Sequence, residues 1–337
     1  MSVSEFEKRL VAVLKANCHR FLDENSLLDE QGLRQEADAC TECGHDLGRA
    51  IELLRFQGYE IDGDDIRGWC LLKIPDTLNY LEIESGLTTT FLGRSLFTYR
   101  IIGSTNDTAR MLAEAGAPDG SLLVAEEQSK GSGRFDNTWY SPPGTGIWAS
   151  LILRPGINPA QLGVLGILAA LSICIAVEEQ TGLRPRIKWP NDMYLDGRKF
   201  AGILCESSVQ AGRLKYFILG FGVNVNQKSF PENLSETSTS LSIAQRGERT
   251  DRVKLLQNIM ERLEDYYFKL LTDGFSFFLP RVQVRDYLRD RIVKIAVGEG
   301  EIVGGVVRGI DENGSLLLET PESSNLRAIP QGRVVEC

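Results

Sequence analysis

Lys188-Trp189-Pro190-Asn191-Asp192 places a cation at the end of an expected strand, then a proline that stops the strand, then two polar side chains. Two other segments carry groups of matching use. Gly131-Ser132-Gly133-Arg134 follows a run ending in Glu126-Glu127-Gln128, and Gly103-Ser104-Thr105-Asn106 precedes a helix-forming stretch from about Asp107. Together they suit a reaction in which two anions must meet, a carboxylate and the α-phosphate of ATP, giving an acyl-adenylate. Such a site needs fixed cations and backbone N–H donors at the meeting point. It also needs a loop that excludes water, because a mixed anhydride hydrolyses readily. Lys188 supplies a point charge. Gly131 and Gly133 let the backbone approach an anion closely, and Arg134 can clamp one through paired N–H groups. The hydroxyls of Ser104 and Thr105 suit neutral polar groups such as a ureido ring.

Three regions must position these groups. Residues 1–80 read as small helices followed by a hairpin. Phe6, Leu10, Val13 and Leu14 have helical spacing within Val3 to Ala16. Further helices are expected over Glu30 to Ala39 and from about Thr41 to Gln57, the latter stopping at Gly58. Alternation on either side of Gly63-Asp64-Asp65 gives the hairpin, and the set outlines a winged helix-turn-helix. Residues 81–290 are mixed α/β. Strands are expected at Ser121 to Glu127, Gly146 to Leu153, Arg186 to Trp189, Met193 to Leu195, Lys199 to Glu206 and Leu214 to Val225. Asp196-Gly197 is a hairpin turn. Asn158 is the expected cap of a long apolar helix ending near Gly182, and Asp251 to Leu271 is amphipathic. Residues 291–337 read as a small β-barrel with a turn at Asn313-Gly314.

The chain has 337 residues and a net charge of −9. Residues 1–95 hold 10 Lys and Arg against 18 Asp and Glu, a net of −8, so the acidity sits at the N-terminus. The opening residues are acidic where a secretory signal would be basic and then apolar. The most apolar stretch, Gly163 to Val177, is shorter than the ~20 residues of a membrane span. A cytoplasmic protein without membrane contact is the expectation. Seven cysteines, an odd number unevenly spread, do not form a disulfide framework. Cys18-His19 and Cys40-x-x-Cys43-x-His45 match no standard zinc spacing, so no metal site is predicted and ordinary packing is expected.

The motifs resemble the biotin protein ligase family in its longer form with an N-terminal winged-helix domain. The resemblance covers nearly the whole chain. It rests on Ser104-Thr105-Asn106, Glu126-x-Gln128, the glycine loop, Trp139, Ser141-Pro142, residues 188–192, Ala201-Gly202-Ile203-Leu204-x-Glu206, Gly220-x-Gly222-x-Asn224-Val225-Asn226 and Gly309-Ile310-Asp311-x-x-Gly314-x-Leu316. It implies an α+β protein with a winged-helix-like domain at 1–80, a catalytic domain at 81–290 and an SH3-like barrel at 291–337. It implies an ATP-dependent ligase that forms biotinyl-5′-AMP and passes biotin to a lysine of a biotin carboxyl carrier domain, with Mg2+ accompanying ATP. By the same resemblance Ser104, Thr105, Asn106, Gln128, Gly131, Ser132, Gly133, Arg134, Lys188 and Gly202 bind biotin. Arg134, Trp139, Lys188, Asn191 and Asn224 face the nucleotide, and Lys188 and Arg134 are catalytic. A homodimer is also implied.

The family's glycine loop reads Gly-Arg-Gly-Arg-x-Gly-Arg-x-Trp. Here Ser132 and Asn137 replace arginines and Asp136 replaces a glycine, while Lys130 offers partial compensation. Weaker retention of the adenylate or altered ligand choice is expected. The recognition-helix region carries Glu42, Asp46 and Glu52 against Arg49 and Arg55. DNA contacts use Lys and Arg, so DNA binding is disfavoured. Two alternatives stay open: a lipoate or octanoate ligase of the same fold, and a biotin-binding sensor or regulator without efficient transfer.

Overall fold

The computed structural model describes residues 5–29, 33, 47–158, 161–298, 300–320 and 325–337. The chain divides into two compact units, Met1–Gly86 and Leu87–Cys337.

The first unit contains α1 (Glu5–Ala16), α2 (Glu24–Asp29), α3 (Leu47–Phe56), the hairpin β1 (Glu60–Asp64) and β2 (Gly68–Lys73), and α4 (Tyr80–Ser85). Phe6, Leu10, Val13 and Leu14 of α1 are buried with Leu54 of α3 and Trp69 of β2, so the helical spacing reads the core face directly. The Glu82 carboxylate of α4 holds Lys15 of α1 at 2.6 Å and also accepts from the Tyr59 hydroxyl. The helix expected over 30–39 and the start of the one expected from 41 lie outside the described residues.

The second unit is built on a seven-stranded mixed sheet. Its strands are β3 (Leu96–Ile102), β4 (Ser121–Gln128), β5 (Gly146–Leu153), β6 (Arg186–Lys188), β7 (Asp192–Leu195), β8 (Arg198–Gln210) and β9 (Arg213–Asn224), in the order β3-β4-β5-β9-β8-β7-β6. Only β3 and β4 run parallel, joined through α5 (Thr105–Glu114). β5 is buried at every position, and its partners on both sides are antiparallel. Asp196 and Gly197 both have positive φ, 48° and 77°, as the tight β7–β8 turn requires.

The apolar helix α6 runs from Gly163 to Thr181 and stops at Gly182, whose φ of 73° is the left-handed cap expected there. It starts later than the sequence suggests. Leu162, not Asn158, occupies the cap position, and the Asn158 carbonyl accepts from the Gln161 N–H. With 19 residues, α6 is long and apolar enough to cross a membrane, contrary to the shorter stretch read from the sequence. Most of its length is instead buried within this fold, against the sheet and α7 (Arg252–Asp273). α7 begins at Asp251, whose side chain accepts from the Lys254 N–H. It is tied to the sheet by Arg252, fully buried, whose guanidinium meets both oxygens of Glu126 at 3.1 and 3.3 Å.

After α8 (Leu279–Arg285) comes a five-stranded antiparallel sheet, β10 (Ile292–Val297), β11 (Glu301–Ile310), β12 (Leu316–Glu319), β13 (Leu326–Ile329) and β14 (Arg333–Glu336), in the order β13-β12-β11-β10-β14. The Trp189 indole donates to the Gly314 carbonyl at 3.0 Å and ties this sheet to the 188–192 segment. β3 and β14 have no counterpart in the sequence reading. The half-exposed Leu96–Ile102 lacks clean alternation, and β14 is only four residues long.

Candidate active site

Ser104 is the N-cap of α5 and accepts from the Asp107 N–H. This fixes Thr105 against the end of β4, where its N–H and hydroxyl both reach Gln128 Oε1, at 2.8 and 3.0 Å. Gln128 Nε2 donates to Ser141 at 3.0 Å. Ser104, Thr105, Asn106, Gln128, Ser132, Gly133, Arg134, Trp139, Asn191 and Gly202 all line one inner cleft. Gly131 is buried beneath the same loop. A Cβ there would lie 2.5 Å from the Trp139 carbonyl, so the loop closes only over glycine.

The Trp139 indole lies across the paired glycines Gly202 and Gly222 of β8 and β9. A Cβ on Gly222 would approach Trp139 Nε1 to 2.4 Å. That nitrogen is buried and finds no hydrogen-bond partner among the described residues. The cleft has a volume of about 50 Å³, room for a few waters.

An outer groove of about 870 Å³ adjoins the cleft. Lys188, Asn191, Asp192 and Asn224 line it, and Gly133, Arg134 and Trp139 face both spaces. Lys188 ends β6 half-buried, its Nζ 5.1 Å from the Tyr194 ring centre. Burial alone would lower its pKa, but Tyr194 and Cys337 outweigh burial and hold it above the ordinary lysine value. It is therefore a cation at neutral pH. Burial lowers the Arg134 guanidinium, opposed by Asp192, yet an arginine stays charged. Arg134 is aimed by Asn191 Oδ1 at 2.8 Å and the Gly332 carbonyl at 3.1 Å. Asn191 is itself fixed, donating to Ile203 O at 2.9 Å. Asn224 is buried, and each end of its amide has a protein partner, Thr239 O at 3.2 Å and Gln227 Nε2 at 3.0 Å.

Two cations of the groove escaped sequence reasoning. Lys199 pairs with Asp192 at 2.6 Å and lies over Trp139 at 5.1 Å. The 196–197 turn would have signalled it, because a two-residue hairpin sets residue 199 opposite Tyr194. Arg333 comes from β14, lines the groove and lies 5.4 Å from the Phe135 ring; nothing local in the sequence marks it. Lys130 is exposed and lines neither space, so it does not replace the missing arginines. Phe135 itself has φ 57°, a left-handed conformation uncommon for a bulky side chain.

Cys40, Cys43 and His45 lie outside the described residues. Among the described residues no group of three His, Cys, Asp or Glu side chains is placed to hold a metal.

The chain matches the Biotin/lipoate A/B protein ligase family over residues 98–224 and the Biotin protein ligase C terminal domain over residues 290–335. It is 35% identical over 326 residues to the bifunctional ligase/repressor BirA of Bacillus subtilis, with 95% of each chain covered. It is 30% identical to the biotin–[acetyl-CoA-carboxylase] ligase of Mycobacterium tuberculosis, covering 64% of this chain and 80% of that protein. The structure of a biotin protein ligase from Aquifex aeolicus, in complex with biotin and ATP, superposes with a TM-score of 0.62. That match has 30% identity over 72% of this chain and 97% of the other.

Proposed function

This chain belongs to the biotin protein ligase family, and from that premise we propose how its own residues divide the work. The enzyme activates biotin with ATP and transfers it to protein. The inner cleft takes the ring, with Ser104, Thr105 and Gln128 facing its polar edge. The outer groove takes the nucleotide, between Trp139, Asn191 and the wall that Asn224 braces from within. One observation carries this division: Arg134 faces both cleft and groove, held by Asn191, and Lys188, also a cation, lines the groove beside it.

A carboxylate oxygen of biotin attacks the α-phosphorus and pyrophosphate leaves. Lys188 and Arg134 offset the charge that gathers as the two anions approach. A neutral lysine amine of the acceptor then attacks the acyl carbon. AMP leaves and an amide forms. Mg2+ accompanies ATP in such sites, usually through one or two carboxylates and several waters. Asp192 is the carboxylate lining the groove that would hold it, and the ion would neutralise phosphate charge.

The acceptor is a biotin carboxyl carrier domain, the protein is cytoplasmic, and it acts as a homodimer. The chain reads as three domains, at 1–80, 81–290 and 291–337, the first winged-helix-like and the last an SH3-like barrel, with the first compact unit running on to Gly86 so that it takes in α4. The three-helix and hairpin order of the first unit and the antiparallel sheet of the last segment support this division.

ATP–pyrophosphate exchange, measured with biotin and with lipoate, tests the reading. Exchange with biotin alone is expected. Exchange with lipoate alone would favour the related ligase, and none with either would favour a sensor. Lys188→Ala is expected to lower exchange by at least ~10²-fold; survival at full rate would refute the role given to Lys188.

A further inference from the structure

Glu206 and Ser150 are not used by the mechanism above, yet they lie on one hydrogen-bond chain with the ring-facing hydroxyls. Asn106 sits across three strands of the sheet, over the row Leu204, Gly220 and Ser150. Gly220 makes the seat possible, since a Cβ there would come within 1.9 Å of Asn106 Oδ1. Asn106 Nδ2 donates to Glu206 Oε2 at 2.6 Å and to Leu204 O at 3.2 Å. Both partners only accept, so the amide cannot be turned over.

The remaining protons follow from counting. Asn106 Oδ1 must accept, so the single Ser150 proton goes to it, across 2.7 Å. Ser150 Oγ is then an acceptor for Thr105, 2.8 Å away. The one Thr105 hydroxyl proton has two takers inside the protein, Ser150 Oγ and Gln128 Oε1 at 3.0 Å. Either choice leaves Thr105 with a lone pair, and no proton, for a bound ring. Ser150 is fully buried and Asn106 is 5% exposed, so water does not compete.

We propose that Glu206, acting through Asn106 and Ser150, is a positioning residue that gives the Thr105 proton a second protein acceptor beside Gln128, and so holds Thr105 as an acceptor toward a ring presenting an N–H edge. This rests on the reading of the inner cleft as the ring site. Asn106 itself touches no ligand in this scheme, because its amide is committed to protein partners. Of the charged and titratable groups near Glu206, Arg110 lies at 3.9 Å and is paired with Asp107, and Cys205 adjoins it in sequence.

The test is calorimetric binding of biotin without ATP to the full chain, at pH 5.5 and 8.5. Asn106→Asp sets a second carboxyl against Glu206. One shared proton restores the contact in acid, and two facing anions break it once that proton is lost. The ratio of variant to wild-type Kd is expected to rise ~10-fold between the two pH values. A flat ratio overturns the relay. Ser150→Ala, which leaves Asn106 Oδ1 without its proton, is expected to raise Kd ~10-fold at both pH values. An unchanged Kd there also overturns the relay. Thr105→Val separates the two readings: an unchanged Kd would mean that the cleft is not the ring site. A raised Kd with a flat Asn106→Asp ratio would discard the relay alone.

Discussion

At the scale of single residues, the site is short of the loop arginines its family carries and recovers charge from elsewhere. Ser132 lines the inner cleft, and its hydroxyl donates to the Lys130 carbonyl at 3.3 Å. Arg134 keeps its aim because Asn191 and Gly332 hold it, not because neighbouring loop residues do. Ser132→Arg would add a second guanidinium to that wall. Tighter biotin binding, by roughly three- to tenfold, is expected by calorimetry; equal or weaker binding would mean the present loop is already sufficient. The residue scale also shows why a motif is not a list of ligands. Trp189 serves the C-terminal sheet and Asn191 serves Arg134, while Lys188 supplies the cation that lines the groove.

At the scale of elements, two contacts set the frame around the site. The first is the glycine pair of β8 and β9 under Trp139. Gly222→Ala would push Cβ into the indole, so Trp139 must shift. A changed tryptophan emission and a biotin Kd raised at least ~10-fold are expected, with the fold retained by circular dichroism. The second is Glu264 of α7, whose oxygens accept from the Thr90, Phe91 and Leu92 N–H groups at 2.7–2.8 Å. Burial would raise this carboxyl's pKa, but those N–H donors outweigh it and hold it below the ordinary 4.5. A depressed folded-state pKa adds stability that is present above the unfolded value and lost as pH falls through the folded one. Glu264→Gln is therefore expected to lower Tm by several degrees at pH 7, with the gap to wild type narrowing below about pH 4. A gap that widens in acid would refute the assignment.

At the scale of the whole molecule, the question is whether the first unit adds DNA binding to the ligase. Arg55 spends its guanidinium on Glu52 and on the hairpin carbonyls of Ile61 and Gly63. Arg67 is held by Asp64 and lies near Asp62, and Lys73 pairs with Glu60. The hairpin therefore presents cations already matched by carboxylates on a segment with net charge −8 over residues 1–95. Phosphate contacts need cations that release counterions. In a mobility-shift assay on the organism's own biotin-operon promoter, no specific complex is expected below about 1 µM protein. A complex at nanomolar protein would show that the regulatory role named for the Bacillus subtilis relative extends to this chain.

The sequence by itself determined the chemistry and most of the frame. Lysine at a strand end, glycines before an arginine and a serine cap before a helix are local patterns, and local patterns survive folding because their geometry is set by near neighbours. Period-3.6 spacing likewise marked α1 and α7, apolar runs marked β4 and β5, and Asp196-Gly197 marked the β7–β8 turn. Tertiary structure alone decided what those residues face. It bonded Asn106 to Glu206 across the sheet, gave Glu126 to Arg252, set Arg333 in the groove from 145 positions beyond Lys188, and laid Trp139 over Gly202 and Gly222. Each depends on strands brought side by side from distant parts of the chain, and no local spacing encodes which hydrogen-bonding partners remain once those strands have met.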